Sequence, residues 1–134
     1  MPDTFQLEIV TPTKLLIKDA AEEAQIPGAS GYLGILPGHA PLITELGVGA
    51  ITYKASGATH TISVAWGFAE VLPDKVTILA EAAEHPQDID VDRAQKAKGR
   101  AEDRLKSNDP NVDFTRAEDA LQRAETRLNV AKEK

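Results

Sequence analysis

Residues 62–80 read ISVAWGFAEVLPDKVTILA, and apolar side chains recur at alternate positions in three runs within this stretch. The alternating residues are Ile62, Val64 and Trp66, then Ala69 and Val71, then Val76, Ile78 and Ala80. A period of two is typical of β-strands that bury one face in a core. The stretch therefore predicts short strands of a β-sheet, separated by turns at glycine and proline.

The same alternation occurs nearer the N-terminus, at Phe5, Leu7 and Ile9, at Ala24 and Ile26, and at Ile51 and Tyr53. Eight of the nine glycines lie between Gly28 and Gly67, and seven of the eight prolines precede Asp88. Turns are therefore concentrated before Asp88, and no long helical pattern lies between the predicted strands. These features predict an all-β domain over residues 1–87, folded as a sandwich or a flattened barrel.

A helical period replaces the alternation after Pro86. The apolar residues of the last segment are three or four positions apart, which is the seam of a coiled coil, at Phe114, Ala117, Leu121, Ala124, Leu128 and Ala131. A narrower stripe precedes it at Val91, Ala94, Ala97, Ala101 and Leu105. Asp90 and Asp113 stand where helix N-caps are expected, and residues 107–111 are rich in helix-stopping residues. We predict an antiparallel two-helix hairpin over residues 88–134.

The predicted hairpin is weak by itself because most of its contact residues are alanines. Alanine lets two helices approach closely, but its burial contributes only about 0.8 kcal/mol or less. Ordering each residue costs roughly 1.5 kcal/mol of conformational entropy. We therefore expect the hairpin to need the β domain, a ligand or a partner to hold one geometry.

Composition and charge exclude several functions. The chain of 134 residues contains no cysteine, which excludes disulfides, thiol nucleophiles and thiolate metal sites. Its net charge is -6, and residues 1–89 carry four basic against eleven acidic groups, so no nucleic-acid partner is expected. No apolar run approaches the roughly 20 residues of a membrane-spanning helix, and the N-terminus shows no secretory signal pattern. We expect a cytosolic protein that does not insert into the membrane.

The sequence offers no catalytic motif. His39, His60 and His85 are 21 and 25 residues apart and lack clustered acidic partners, which does not favour a metal site. The glycines that begin at Gly28 do not follow a phosphate-binding pattern, and no serine lies in a nucleophile elbow. We therefore expect a non-catalytic protein with neither a metal nor a catalytic cofactor.

Residues 26–42 read IPGASGYLGILPGHAPL, and together with residues 67–71 and 76–80 they resemble the epsilon subunit of bacterial F-type ATP synthases. The resemblance covers essentially the whole chain. It implies a ten-stranded β-sandwich that attaches to the gamma subunit and stands on the c-ring as part of the rotor. It also implies a peripheral position on the cytoplasmic face of the bacterial membrane. The residues that match the family's partner-contact surface are Tyr32, His39 and Leu42.

Two positions depart from the pattern of that family. Tyr32 stands where many members have an acidic residue, so an ion pair with the c-ring is not assumed, and stacking or a phenol hydrogen bond would replace it. Ala65-Trp66-Gly67 stands where a Ser-Gly-Gly turn is common. Because Trp66 continues the alternation of Ile62 and Val64, we expect it to pack in the core or at a sheet edge rather than bind a ligand.

Residues 89–94 read IDVDRA and match the I/L-D-x-x-R-A motif associated with ATP binding in some bacterial epsilon subunits. The resemblance implies a regulatory site for ATP, with or without Mg²⁺, formed by Glu84, Ile89, Asp90, Arg93, Ala94, Arg100, Arg123 and Arg127. Arg93 and Arg100 are seven residues apart and Arg123 and Arg127 are four apart, so each pair shares one helix face. A hairpin folded about Pro110 would bring Arg93 and Arg127 to the same level.

Several converging guanidinium groups repel one another unless an anion lies between them, and a triphosphate is a suitable anion. We expect Asp90 and Glu84 to accept hydrogen bonds from the base or ribose, and Ala94 to leave room for the flat ring. Bound ATP would hold the hairpin against the β domain. Without ATP, the helices would extend along gamma toward the alpha and beta catalytic subunits and inhibit ATP hydrolysis.

Two other interpretations stay open. In the first, the arginines form only surface ion pairs with acidic neighbours, which are Asp92, Glu102, Asp103, Glu118 and Asp119. In the second, the protein is a free-standing ATP sensor or adaptor with the same architecture, and it would not co-purify with gamma and the c-ring. An enzyme would instead require steady ADP release by the pure chain.

Overall fold

The computed structural model of the protein describes residues 3–134, which form seven strands, one 3-10 turn and two α-helices. The strands are β1 (Phe5–Val10), β2 (Leu15–Ala21), β3 (Glu23–Gly28), β4 (Gly31–Ile35), β5 (Leu42–Ala55), β6 (Ala58–Val71) and β7 (Lys75–Glu84). The helical elements are the 3-10 turn Pro86–Asp88, α1 (Val91–Leu105) and α2 (Phe114–Ala131). The prediction of an all-β domain followed by a two-helix hairpin is therefore confirmed.

The strands form one hydrogen-bonded sheet in the order β2-β1-β7-β6-β5-β3-β4. β1 and β7 are parallel, and the other neighbouring pairs are antiparallel. The sheet folds over as a sandwich, so β2 contacts β5 although the two are far apart in the strand order. The Tyr53 hydroxyl joins them by donating a hydrogen bond to Asp19 Oδ2 at 2.8 Å. Burial raises the pKa of the Tyr53 phenol, and the Asp19 carboxylate raises it further.

The strand count corrects the expectation of ten strands, since residues 3–134 contain seven. β5 and β6 are each 14 residues long and keep one register from the pair Leu42 and Val71 to the turn that joins them. The register is the same on both sides of the position where Gly47 faces Trp66. Two of the seven strands are therefore long and continuous, where the sequence predicted short ones.

The inward faces predicted from the alternation form the core of the sandwich. Its fully buried large side chains include Leu7, Ile9, Ile26, Ile51, Ile62, Val64, Val71, Val76 and Ile78. Trp66 departs from this pattern, because its side chain is only half-buried and its backbone φ is 54°. A left-handed residue interrupts the alternation of a strand. The expectation that Trp66 continues the face of Ile62 and Val64 is therefore wrong.

The two helices pack against each other through small residues, as the sequence predicted. Ala94 and Ala101 of α1 are buried, and so are Ala117 and Ala124 of α2. Phe114 is an exception, because its side chain is exposed instead of lying in the seam. It is the first residue of α2, beside the linker, where α1 has already ended.

Both predicted helix caps are confirmed. The Asp90 carboxylate accepts a hydrogen bond from the Arg93 backbone N–H at 3.0 Å, and Asp113 does the same for Arg116 at 3.0 Å. Each bond satisfies one of the free N–H groups that begin a helix. Neither helix of the described chain combines the length and apolar character that a bilayer crossing requires.

Candidate functional site

The joint between the β domain and the hairpin is packed rather than loose. Ile89, between the 3-10 turn and α1, is buried against Val130 and Ala131 at the end of α2, with the half-buried Ala50 of β5 beside them. The Lys134 ammonium donates a hydrogen bond to the Ile89 carbonyl oxygen at 3.2 Å. The end of the chain therefore packs against the segment that begins the hairpin.

The strongest polar contact across this joint is an ion pair between Arg127 of α2 and Glu84 at the end of β7. Arg127 Nε lies 2.7 Å from Glu84 Oε1, and Arg127 Nη2 lies 3.2 Å from Glu84 Oε2. Two parallel bonds of this kind add geometric specificity to the charge attraction. The side chains are 23% and 32% exposed, so solvent screens the pair less than it screens a fully exposed one.

Two further contacts hold the same face of α2 on the β domain. The Arg123 guanidinium lies over the Trp66 ring, 4.9 Å from its centroid, which is a cation–π arrangement. The Gln122 side-chain amide donates a hydrogen bond to the Val48 carbonyl oxygen at 3.2 Å. Sequence reasoning did not find Trp66, Val48 and Gln122 as contact residues. A single tryptophan beside glycine inside a strand pattern was the available signal for Trp66, since such a glycine often marks an irregular strand.

The cavity enclosed by these contacts is small. It is bounded on the hairpin side by Arg123 and Arg127 and on the sheet side by residues that include Val48, Ala65 and Glu84. Its volume is about 50 Å³, which is room for only a few water molecules. A nucleotide does not fit there while α2 lies against the sheet in this way.

Apart from Glu84, Arg123 and Arg127, the predicted ATP residues fall into two groups. Ile89 and Ala94 are buried, and the Asp90 carboxylate already caps α1. The space for a flat ring that we expected beside Ala94 is therefore filled in this arrangement. Arg93 and Arg100 are exposed, and neither forms a salt bridge within residues 3–134. Of the predicted residues, these two arginines are the ones whose charged groups are open to an external anion.

Two of the predicted partner-contact residues, His39 and Leu42, lie near the opposite end of β7. His39 and the exposed Leu42 are next to the turn between β6 and β7, because the Gly38 N–H donates to the Pro73 carbonyl oxygen at 2.8 Å. His39 Nδ1 lies 2.7 Å from the Ala40 carbonyl oxygen, so Nδ1 carries the proton. Leu36 and Leu72 are also exposed here, and we call Leu36, His39, Leu42 and Leu72 the end cluster.

Tyr32 is 59% exposed, but its hydroxyl is used within the chain. It accepts a hydrogen bond from the Ala50 N–H at 3.1 Å. A Cβ atom at Gly49 would overlap the Tyr32 hydroxyl, so the phenol requires glycine at that position. The phenol oxygen therefore already accepts one bond from β5, while its own O–H and the exposed ring stay available to a partner.

An exposed apolar row crosses the outer face of five strands. Leu15 pairs with Val10, Val10 with Leu79, and Leu79 with Phe68, while Ile43 lies diagonally beside Phe68 on the same face. Ile43 is 71% exposed, and Leu15, Phe68 and Leu79 are each more than half exposed. We call these five residues the outer apolar row. A continuous apolar surface of this kind is typical of a protein–protein contact.

No group of three or more His, Asp or Glu side chains is placed to hold a metal ion in the part of the chain that the structure describes. The three histidines lie in different regions: His39 in the end cluster, His60 on β6 and His85 after β7. His60 stacks on Tyr53, with 5.0 Å between the ring centroids.

Comparisons with known proteins match both parts of the chain. Residues 4–86 match the family model of the ATP synthase delta/epsilon chain β-sandwich domain, and residues 87–132 match that of its long α-helix domain. The ATP synthase epsilon chain of Koribacter versatilis is 68% identical over 110 residues, covering 82% of this chain and 78% of the relative. The epsilon chain of Nitratidesulfovibrio vulgaris is 49% identical over 130 residues, covering 97% of each chain.

Similarity extends to solved structures. A chain in the cryo-EM structure of the Euglena gracilis mitochondrial ATP synthase superimposes with a TM-score of 0.83 at 24% identity, covering 98% of this chain and 83% of that chain. This likeness supports the fold alone. The epsilon chain of Solibacter usitatus is 46% identical over 134 residues and covers 100% of both chains. The chain therefore belongs to the ATP synthase delta/epsilon chain family and is an epsilon subunit of the bacterial type.

Proposed function

We propose that the protein is a non-catalytic subunit of the ATP synthase central stalk, which joins the gamma subunit to the c-ring at the cytoplasmic face of the bacterial membrane. The observation that carries this proposal is that the two family models together match residues 4–132. Relatives named ATP synthase epsilon chain match over nearly the same length.

The two exposed apolar surfaces of the β domain suit two partners. The outer apolar row runs across five strands and offers a stiff face to gamma, because each strand is held by its neighbours. The end cluster lies on two joined turns and offers a compact contact to the c-ring. Burying these side chains in an interface would contribute about 25 cal/mol for each Å² removed from water.

Co-purification of the assembled complex tests this assignment. Ile43→Asp combined with Phe68→Asp places two charges in the outer apolar row, and we expect the variant to lose its binding to gamma. Gln25→Asp is the matched control, because Gln25 is exposed on β3 outside the row. If the double variant binds gamma normally, the outer apolar row is not part of the interface with gamma. A wild-type chain that binds neither gamma nor the c-ring would favour the free-standing adaptor.

We also propose that ATP regulates the hairpin. Support comes from the IDVDRA motif and from the two exposed arginines, Arg93 and Arg100, whose charge no salt bridge balances within residues 3–134. The alternative in which these arginines form surface ion pairs lacks such pairs in this arrangement. Arg93 and Arg100 would bind phosphate oxygens first, and Arg123 and Arg127 would join them only after leaving Trp66 and Glu84.

The cavity beside α2 is too small for a nucleotide, so this regulation requires α2 to move. Because the cavity beside Arg123 and Arg127 holds only about 50 Å³, α2 must shift on the β domain before four arginines surround a triphosphate. Ala94 must also become accessible if the base is to approach it. Without ATP, the hairpin would extend toward the catalytic alpha and beta subunits and inhibit hydrolysis only after its contacts with the β domain also break.

ATP titration of the isolated subunit by calorimetry tests the site, with and without Mg²⁺. We expect Arg93→Ala and Arg100→Ala each to weaken binding about 10-fold, because each removes charge-assisted hydrogen bonds without breaking a salt bridge of the described fold. Arg104→Ala is the control, since Arg104 is exposed on the same helix but lies outside the predicted site. Absence of binding heat, or equal affinity of all three variants, would contradict the site. Steady ADP release would indicate an enzyme instead.

A further inference from the structure

We infer that the β domain carries a clasp for α2 that keeps the hairpin docked in the absence of nucleotide. The clasp consists of three contacts, which are Glu84 with Arg127, Trp66 with Arg123, and the Val48 carbonyl with Gln122. The inference goes beyond the proposed binding of ATP and does not depend on it. It assigns to Trp66, Glu84 and Gln122 a role in holding the hairpin.

The charges in the clasp are balanced within the chain. The Glu84 carboxylate faces Arg127 with both oxygens, so this guanidinium needs no external anion to offset its charge. The Trp66 ring provides a negative π face for Arg123. Two of the four arginines assigned to phosphate are therefore already bound, and any anion that recruits them must displace Glu84 and Trp66.

The backbone at Trp66 supports this assignment independently. A φ of 54° is unusual for a bulky residue and persists only where the surrounding structure imposes it. Gly67 follows with a φ of 123°, and a Cβ there would overlap the Leu79 carbonyl oxygen. This conformation takes the indole out of the alternation of β6 and places it beneath Arg123. The left-handed backbone at Trp66 therefore makes the contact between its indole and Arg123 of α2 possible.

The contacts between hairpin and sheet are concentrated on α2. α2 packs on β5, β6 and the 3-10 turn, whereas α1 packs chiefly on α2. Arg123 and Arg127 are four residues apart and project from one face of the helix. If this face of α2 separates from the sheet, α1 leaves with it. The clasp therefore determines whether the whole hairpin stays docked.

The test uses the full-length protein without nucleotide. Trp66 is the only tryptophan in the sequence, so its emission reports the environment of the clasp directly. Glu84→Gln and Arg127→Gln break the ion pair without touching the indole. We expect both to shift the emission to longer wavelength and to speed amide exchange along α2 about 5-fold, the effect of losing a partly exposed ion pair. Val130→Asp supplies the undocked reference, because Val130 is buried in the joint.

Lys75→Gln is the matched control. It removes a comparable ion pair, Lys75 with Glu8 at 3.4 Å, which joins β1 to the start of β7, at the opposite end of that strand from Glu84. We expect it to leave the emission and the exchange of α2 unchanged. The reversed pair, Glu84→Arg with Arg127→Glu, should return both signals toward wild type, which shows that the single variants acted through the pair rather than through misfolding.

Two results would overturn the clasp. The first is wild-type emission and exchange in Glu84→Gln and Arg127→Gln while Val130→Asp changes both. The second is a reversed pair that stays as undocked as the single variants. Since every sample lacks nucleotide, failure of the ATP site leaves these outcomes unaffected, and failure of the clasp leaves the ATP titration interpretable.

Discussion

At the scale of single residues, several side chains of this protein have a structural partner that competes with a partner outside the chain. The Glu84 carboxylate was expected to meet a nucleotide, yet it binds Arg127. The Tyr32 hydroxyl was considered for a partner subunit, yet it accepts from Ala50. Binding at Glu84 therefore requires an existing charge-assisted bond to break, whereas the Tyr32 hydroxyl can still donate its own proton to a partner.

Tyr53 gives a prediction about pH at this scale. Its pKa is raised in the folded state above the ordinary value near 10, first by burial and then by Asp19. The folded protein therefore holds the phenol proton more tightly than the unfolded chain, so this contribution to stability is complete below about pH 10 and is lost as the pH rises further. We expect Tyr53→Phe to be about 1–2 kcal/mol less stable at pH 7, with the difference shrinking above pH 10.

Urea unfolding of the wild type and Tyr53→Phe across this pH range measures the effect. The lysines and Tyr32 are present in both proteins, so the effect of their titration cancels in the difference between the two free energies of unfolding. Asp19→Asn is the control, because it removes the carboxylate but leaves the phenol buried. A stability difference that stays constant from pH 7 to pH 11 would show that the phenol does not titrate as its surroundings indicate.

At the scale of elements, the two parts of the chain depend on different forces. The sandwich buries a continuous set of large aliphatic side chains from all its layers, whereas the hairpin buries mainly alanines between its helices. Each alanine contributes little burial energy, so caps and contacts with the β domain matter more for the hairpin than for the sandwich. The ends of α1 and α2 are therefore sensitive positions.

Asp113 supplies the prediction for the hairpin. Asp113→Ala removes the bond to the Arg116 N–H and should weaken the start of α2 by about 1 kcal/mol. We expect faster amide exchange in the first turn of α2 and lower helical circular dichroism, with no change in the unfolding of the β domain. Asp113→Asn should behave like the wild type, since asparagine caps as well as aspartate. If Asp113→Asn loses as much helical structure as Asp113→Ala, the negative charge of Asp113 stabilises α2 rather than its capping hydrogen bond.

At the scale of the whole molecule, the division into two parts separates attachment from regulation in the proposed function. The outer apolar row and the end cluster both belong to the β domain, and the predicted ATP residues other than Glu84 lie in or immediately before the hairpin. We expect deletion of residues 88–134 to preserve assembly with gamma and the c-ring and to raise ATP hydrolysis by the complex several-fold.

Measuring both the hydrolysis rate and the ion pumping of the reconstituted complex checks that expectation. Val130→Asp in the full chain is a useful comparison, because it undocks the hairpin without removing it and should lower hydrolysis where the deletion raises it. Loss of coupling between hydrolysis and pumping in the deletion would show that the hairpin also takes part in attachment. The division of roles between the two parts would then be wrong.

Local sequence patterns were enough to predict which residues face the core and where the helices begin. Alternation placed Ile62, Val64 and Ile78 inside the sandwich, and the spacing of three and four positions placed Ala117 and Ala124 in the hairpin. Asp90 and Asp113 were recognisable as caps because a cap bonds only three residues along the chain. These features depend on local geometry, which repeats every two or 3.6 residues and is therefore visible in the order of residues.

The contacts of the arginines and of Trp66 depend on the three-dimensional fold and could not be predicted from local patterns. Glu84 and Arg127 are 43 residues apart, and Val48 and Gln122 are 74 apart, so no periodic pattern relates the members of either pair. Trp66 leaves the alternation because its backbone is left-handed and its ring lies under Arg123 of α2. Two of the seven strands, β5 and β6, pair in one register along their whole length, which the short alternating runs did not predict. Contacts between distant segments follow from how the sheet folds over and where α2 packs, which local spacing does not specify.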